Sequence, residues 1–214
     1  MNELRYTLLS DGASNKALMP ILTWLLQQRL PKIAVHGEWA DLRRLPAPPR
    51  TMPERIRWSL DLYPCDLLFV HRDAERVSRD RRVVEITRAV EKATATINVP
   101  RTVCVVPVRM LEAWLLCDPA AIRRAAGNPS ATEPLNLPSL RSLENMADPK
   151  ARLHRILCEA SGLHGRRLKT FNHNSAVHRI AEYIEDFSLL RALPAFQGLE
   201  DNLKETIALL DHDQ

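Results

Sequence analysis

The sequence predicts an α/β fold, with a mainly parallel sheet of about four strands flanked by helices and a helical C-terminal half. Three observations carry this. Short apolar, β-rich runs alternate with segments of helical spacing long enough to be crossover connections between parallel strands. One run, Leu67-Leu68-Phe69-Val70, is apolar without alternation, as expected of a strand covered on both faces. Beyond Pro119 the strand-like runs stop.

In chain order, residues 5–9 predict a first strand, and Ser10-Asp11-Gly12-Ala13-Ser14 a turn that opens a helix over about 15–28. Leu18, Ile21, Leu22, Leu25 and Leu26 fall on one face of that helix, and Pro20 is tolerated only near its first turn. Pro31 ends it, 32–36 read as a second strand, and Gly37-Glu38-Trp39 begin a long proline-rich loop before a helix near 53–62. The third strand, 66–71, follows the breakers Pro64 and Asp66.

A charged helix is then expected from about Glu75 to Thr96, with Val77, Val84, Ile86, Ala89, Val90 and Ala93 inward. The fourth strand, 102–106, meets Pro107, and Arg109 to Asp118 read as an apolar helix that places Leu111, Trp114 and Leu115 in the core. Residues 128–138 are polar and proline-bearing, a loop, and helices follow at about 149–161, 175–186 and 198–210. This divides the chain into an α/β domain over 1–120 and a helical extension over 121–214 packed on it.

Composition narrows the classes. The chain has 214 residues, 45% of them hydrophobic, enough for a real core. No run approaches the length of a membrane span, and Met1-Asn2-Glu3-Leu4-Arg5 lacks the basic-then-apolar order of a secretory signal, so a cytoplasmic protein without membrane contact is expected. Cys65, Cys104, Cys117 and Cys158 are scattered without C-x-x-C spacing, which indicates neither a disulfide framework nor zinc. His164, His173 and His178 match no metal-ligand spacing and read as ordinary polar histidines. The formal charge of +4 is modest, but Arg43-Arg44, Arg79 to Arg82 and Arg166-Arg167-Lys169 suit either phosphate or solvated helix faces.

Chemistry is expected where strands end. In an open parallel sheet, side chains leaving several strands converge at the carboxyl edge. Asp11 follows the first strand, Glu38 the second, His71, Asp73 and Glu75 the third, and Arg109 and Glu112 the fourth. If the third strand persists, His71, Asp73 and Glu75 point to one side as an oxygen-rich cluster suited to a hard cation. Alternatively, Asp73 caps the next helix and Glu75 favours its first turn.

An acid after the first strand and an acidic pair after the third resemble a Toprim domain, whose pattern is a glutamate-glycine turn and a later D-x-D. The opening turn, the strand end His71 to Glu75 and the run Glu112 to Asp118 are similar to a Toprim-like family, domain of unknown function 4276, that occurs with ATPases in bacterial phage-defence loci. The resemblance covers about the first 118 residues. It implies a metal-dependent phosphodiesterase, a nuclease acting on DNA or RNA. Asp11 would be its proton-transfer group, Asp73, Glu75, His71 and Glu112 ligands of Mg²⁺ or Mn²⁺, and Arg72, Arg109 and Lys16 its phosphate contacts.

Here Asp11 replaces the family's glutamate, Asn15 stands where a second glutamate is common, and His71 replaces the first aspartate of D-x-D. Imidazole prefers manganese or zinc to magnesium. The competing expectation is therefore a non-catalytic Toprim-like effector or sensor that binds an ATPase partner or a nucleotide.

Overall fold

A computed structural model describes residues 2–212. Strands β1 (Glu3–Leu9), β2 (Ala34–Trp39), β3 (Leu67–His71) and β4 (Arg101–Val105) form one sheet in the order β2-β1-β3-β4, every pair parallel. Helices α1 (Leu18–Arg29), α2 (Met52–Leu62) and α3 (Arg79–Thr94) connect them. Beyond β4 come a 3₁₀ segment over Leu111–Cys117 and helices α4 (Pro119–Ala125), α5 (Pro149–Ser161), α6 (Gly165–Lys169), α7 (His173–Tyr183) and α8 (Pro194–His212). The α/β class and the helical second half follow the sequence pattern.

Alternation along the strands sorts the core into two layers. Leu4, Tyr6, Leu8, Leu67, Phe69, Val103 and Val105 face α1 and the helical half in one continuous cluster that also includes Trp114, Ile180 and Phe196. Leu9, Leu68, Val70 and Cys104 face α2 and α3, where Ile56, Ile86 and Ala89 meet them. With all five of its residues buried, β3 is the interior strand its composition predicts. At the β4 edge, Asn202 of α8 accepts the Cys104 amide through Oδ1 at 3.0 Å, which satisfies an outward-facing donor.

Several boundaries differ from expectation. Strand β2 runs through Gly37, Glu38 and Trp39 because β1 offers pairing partners as far as Leu8, opposite Trp39. A 3₁₀ turn over Ala13–Ala17 precedes α1, which leaves Pro20 in the first turn of the α-helix proper. Helix α2 starts with a reciprocal cap between Thr51 and Glu54. Helix α3 begins at Arg79 rather than Glu75, capped by Ser78, and Val84 is 48% exposed rather than inward. The expected α-helix over 109–118 is 3₁₀, yet Leu111, Trp114 and Leu115 are buried as predicted. No helix among the described residues is long and apolar enough to cross a membrane.

Candidate functional site

Past their last paired residues, β3 and β4 continue side by side. The amides of Arg72, Ala74 and Glu75 donate to the carbonyls of Val105, Pro107 and Arg109 at 3.1, 3.0 and 2.9 Å. This extension takes Asp73 and Glu75 out of the strand, so their alternation with His71 no longer sets their direction. Glu75 and Arg109 have φ of 53° and 65°, the two non-glycine residues in the left-handed region among those described. They are clasped together, since Arg109 Nη1 also donates to the Glu75 carbonyl at 3.2 Å. Backbone in this region costs energy and collects at functional sites.

An inner cluster is built around β3. Asn15 Nδ2, an amide donor, lies 3.2 Å from His71 Nδ1, so that nitrogen accepts and the ring proton sits on Nε2. That Nε2 in turn faces Asp73 Oδ1 at 3.3 Å, and the same oxygen accepts the Leu111 amide at 3.0 Å. His71 is 1% exposed. Glu112, buried on the 3₁₀ segment, has its carboxyl pushed up by burial and further by the neighbouring Asp73, against the opposing pull of its own backbone amide and of Lys150.

An outer network alternates acids with arginines. Arg55 from α2 pairs with Asp11 and donates to the Ser10 carbonyl at 2.6 Å. Arg72 bridges Asp11 (Nε to Oδ2, 2.9 Å) and Glu85 (3.2 Å), while Arg82 bridges Glu85 (2.8 Å) and Glu75 (3.3 Å) and donates to the Asp73 carbonyl (3.1 Å). Three guanidiniums thus offset the three carboxylates of Asp11, Glu85 and Glu75.

The predicted residues therefore fall into different roles. Asp11 and Arg72 belong to the outer network, His71, Asp73 and Glu112 to the inner cluster, and Glu75 and Arg109 to the strained junction. Lys16 lies apart from these pairs, lining a groove between α1 and α7 with His178 and Trp24. Among the described residues, no group of three or more histidine, cysteine, aspartate or glutamate side chains is arranged to hold a metal ion. Both His71 nitrogens are occupied and Glu75 turns to Arg82, which leaves Asp73 and Glu112 as the remaining candidate donors.

Sequence reasoning missed Arg55, Glu85 and Lys150, and singled out Arg82 only within the basic run Arg79 to Arg82. The three-residue spacing of Arg82 and Glu85 on one helix face was a readable sign; Arg55 gave none. It also treated His173 as an ordinary polar residue, whereas its Nε2 lies 3.1 Å from Cys158 Sγ and its ring 4.8 Å from that of His154.

Two clefts flank the site. One, of about 430 Å³, is lined by Glu75, Arg76, Arg82, Arg109 and Asp148 among others. The other, of about 220 Å³, lies beside Asp11 and is lined by Trp39, Asp41, Arg43, Pro48, Pro49, Arg50 and Arg55. Each combines guanidinium groups with acids at the carboxyl edge of the sheet.

A family model described as a domain of unknown function (DUF4276) matches residues 24–204. The chain belongs to the DUF4276 family. The matched stretch contains His71 to Glu75, Arg109 and Glu112, and it begins after Asp11, Asn15 and Lys16. Comparison with curated proteins and with solved structures gave no match.

Proposed function

We propose that this DUF4276 protein is a Toprim-like phosphodiesterase, a nuclease acting on DNA or RNA with Mg²⁺ or Mn²⁺, working with an ATPase partner in bacterial defence. The observation that carries the reading is Asp73 at the end of a parallel sheet, its Oδ1 accepting the Leu111 amide at 3.0 Å next to the buried Glu112, with guanidinium groups of Arg55, Arg72, Arg82 and Arg109 along the same edge. Two carboxylates close enough to raise a pKa repel each other, and a cation relieves that repulsion.

The donor set fits magnesium in a particular way. Mg²⁺ is commonly held by one or two carboxylates together with substrate phosphate and water, rather than by a cage of protein ligands. Asp73 and Glu112 would hold the ion, which when bound would offset phosphate charge and acidify water. His71, linked to Asn15 and Asp73, orients the Asp73 carboxylate. Arg55 and Arg72, which now face Asp11, are placed to turn to a phosphate oxygen and stabilise charge developing there. Asp11, solvent-accessible between them, receives or returns the proton.

A second reading has its own support. Asp11 and Glu75 are already neutralised by arginine, and among the described residues no three-ligand group is assembled. That favours a non-catalytic Toprim-like effector that binds an ATPase partner or a nucleotide. The deciding experiment incubates end-labelled single- and double-stranded DNA and RNA with the protein in Mg²⁺, Mn²⁺ or EDTA. Ion-dependent cleavage that disappears in Asp73→Asn and Glu112→Gln supports the enzyme. Cleavage absent under every condition with folded protein selects the effector.

A further inference from the structure

The 220 Å³ pocket beside Asp11 is built more rigidly than a surface cleft requires. Trp39 ends β2, and its indole Nε1 donates to Ser10 Oγ at 2.9 Å, which fixes the ring against the turn carrying Asp11. The Arg43 guanidinium lies 5.1 Å from the centre of that ring. Arg43 is itself held by a two-point pair with Asp41, Nε to Oδ1 at 2.7 Å and Nη2 to Oδ2 at 3.0 Å. Asp41 is 8% exposed, and its hydrogen bonds from Arg43 hold its carboxyl below the usual value. Arg44 takes the second Asp41 oxygen at 3.3 Å, so the carboxylate is compensated.

A guanidinium plane backed by an indole is a surface on which a flat base stacks without sequence readout. Pro48 and Pro49 line the pocket with apolar surface, and Arg50 and Arg55 bring two further cations. Its volume falls below the range usual for complete small-molecule sites and suits a single flat group joined to a chain outside. Bases of a duplex are stacked inside it and cannot enter such a pocket without leaving the helix.

We propose that this pocket is a nucleotide subsite that takes one unpaired nucleotide of the substrate strand, its base against Arg43 and Trp39 and its phosphate on Arg50 and Arg55. The protein therefore selects single-stranded segments over duplex. The inference rests on the phosphodiesterase reading only for the proton transfer at Asp11; binding does not require the chemistry.

The test is fluorescence anisotropy with a labelled 12-nucleotide single strand and the matching duplex, in EDTA so that nothing is cleaved. The single strand is expected to bind at least about tenfold tighter than the duplex at the same salt. Arg50→Ala, at an exposed position outside the core, should weaken single-strand binding by about tenfold and lower the salt slope by about 1. Trp39→Leu should lose most of the preference for single strand while its melting curve confirms folding. Equal binding of duplex and single strand, or an Arg50→Ala variant that binds like wild type, overturns the subsite. If the binding pattern holds but no ion produces cleavage, the subsite stands and the enzyme reading falls. If ion-dependent cleavage occurs and Arg50→Ala binds normally, the enzyme reading stands and the subsite falls.

Discussion

Gly37 stands opposite Tyr6 in the β1–β2 register, and the space that a side chain would need is filled. A Cβ added there would sit 2.3 Å from Tyr6 Cζ, 2.5 Å from its hydroxyl and 2.6 Å from Cε1, against roughly 3.5–4.0 Å for an ordinary contact. The ring would have to retreat by about 1 Å or more. It has nowhere to go, since Tyr6 is fully buried, edge-on to Phe69 at 5.3 Å, with its hydroxyl 2.7 Å from Thr23 Oγ1 and donating to the Met19 carbonyl at 3.0 Å. Losing two hydrogen bonds costs about 1–3 kcal/mol. Overpacking adds about 1–3 kcal/mol, and the reduced entropy of the unfolded chain returns about 0.4–1 kcal/mol. Gly37→Ala is thus expected to lose about 1–6 kcal/mol, a large part of a typical domain's total at the upper end. At about 2–4 °C per kcal/mol the melting temperature falls by roughly 2–24 °C. Urea and thermal unfolding measure this, with Tyr6→Leu and the double variant closing a cycle. In the Tyr6→Leu background the cost of Gly37→Ala should drop below about 1 kcal/mol. A loss under about 0.5 kcal/mol, or the same loss in both backgrounds, would refute the steric reasoning.

Other expectations concern the site. Glu112 has a folded-state pKa above its unfolded value, so the stability it contributes is present when it is protonated and is lost as pH rises through the folded value. Glu112→Gln should therefore have the higher urea midpoint at pH 7.5, with the gap shrinking as pH falls below the unfolded carboxyl value of about 4.3; a gap that does not change with pH contradicts this. Magnesium or manganese at about a hundred times its dissociation constant should stabilise wild type by about 2.7 kcal/mol, roughly 5–11 °C in melting temperature. Asp73→Asn should abolish the shift, and a wild type indifferent to both ions would remove the cation from the site. Asp11→Asn weakens the pairing of Arg55 and Arg72 at an exposed position, so the fold should persist while cleavage falls at least about tenfold; unchanged cleavage would exclude Asp11 from proton transfer.

What the sequence revealed and what it hid have physical causes. Leu67 to Val70 could be placed in the middle of the sheet because burial on both faces demands an uninterrupted apolar run, and 0% exposure at all four residues agrees. The end of β2 is hard to read because glycine usually marks a turn, whereas Gly37 is in the strand to make room for Tyr6, a residue on another strand. The start of α3 is hard to read because Asp73 and Glu75 look like a helix cap and first turn. The Ala74 and Glu75 amides are instead held by the carbonyls of Pro107 and Arg109, across the sheet, where no local signal reaches.

The same distinction decides the chemistry. Gathering acids at the carboxyl edge needed only strand order, so Asp11, His71, Asp73 and Glu112 could be nominated from their positions along the chain. How each acid is compensated depends on side chains from α2, α3 and the end of β3 that come into reach only on folding. Arg55 and Arg72 go to Asp11, Arg72 and Arg82 share Glu85, and Arg82 takes Glu75. Arginine therefore accounts for the outer carboxylates without any ion. Glu112 differs, because burial and Asp73 both raise its pKa, while its own backbone amide and Lys150 offset this only in part. Under the proposed function the divalent ion belongs at the Asp73–Glu112 pair, which is where substitution should separate a catalytic site from a salt-bridged scaffold.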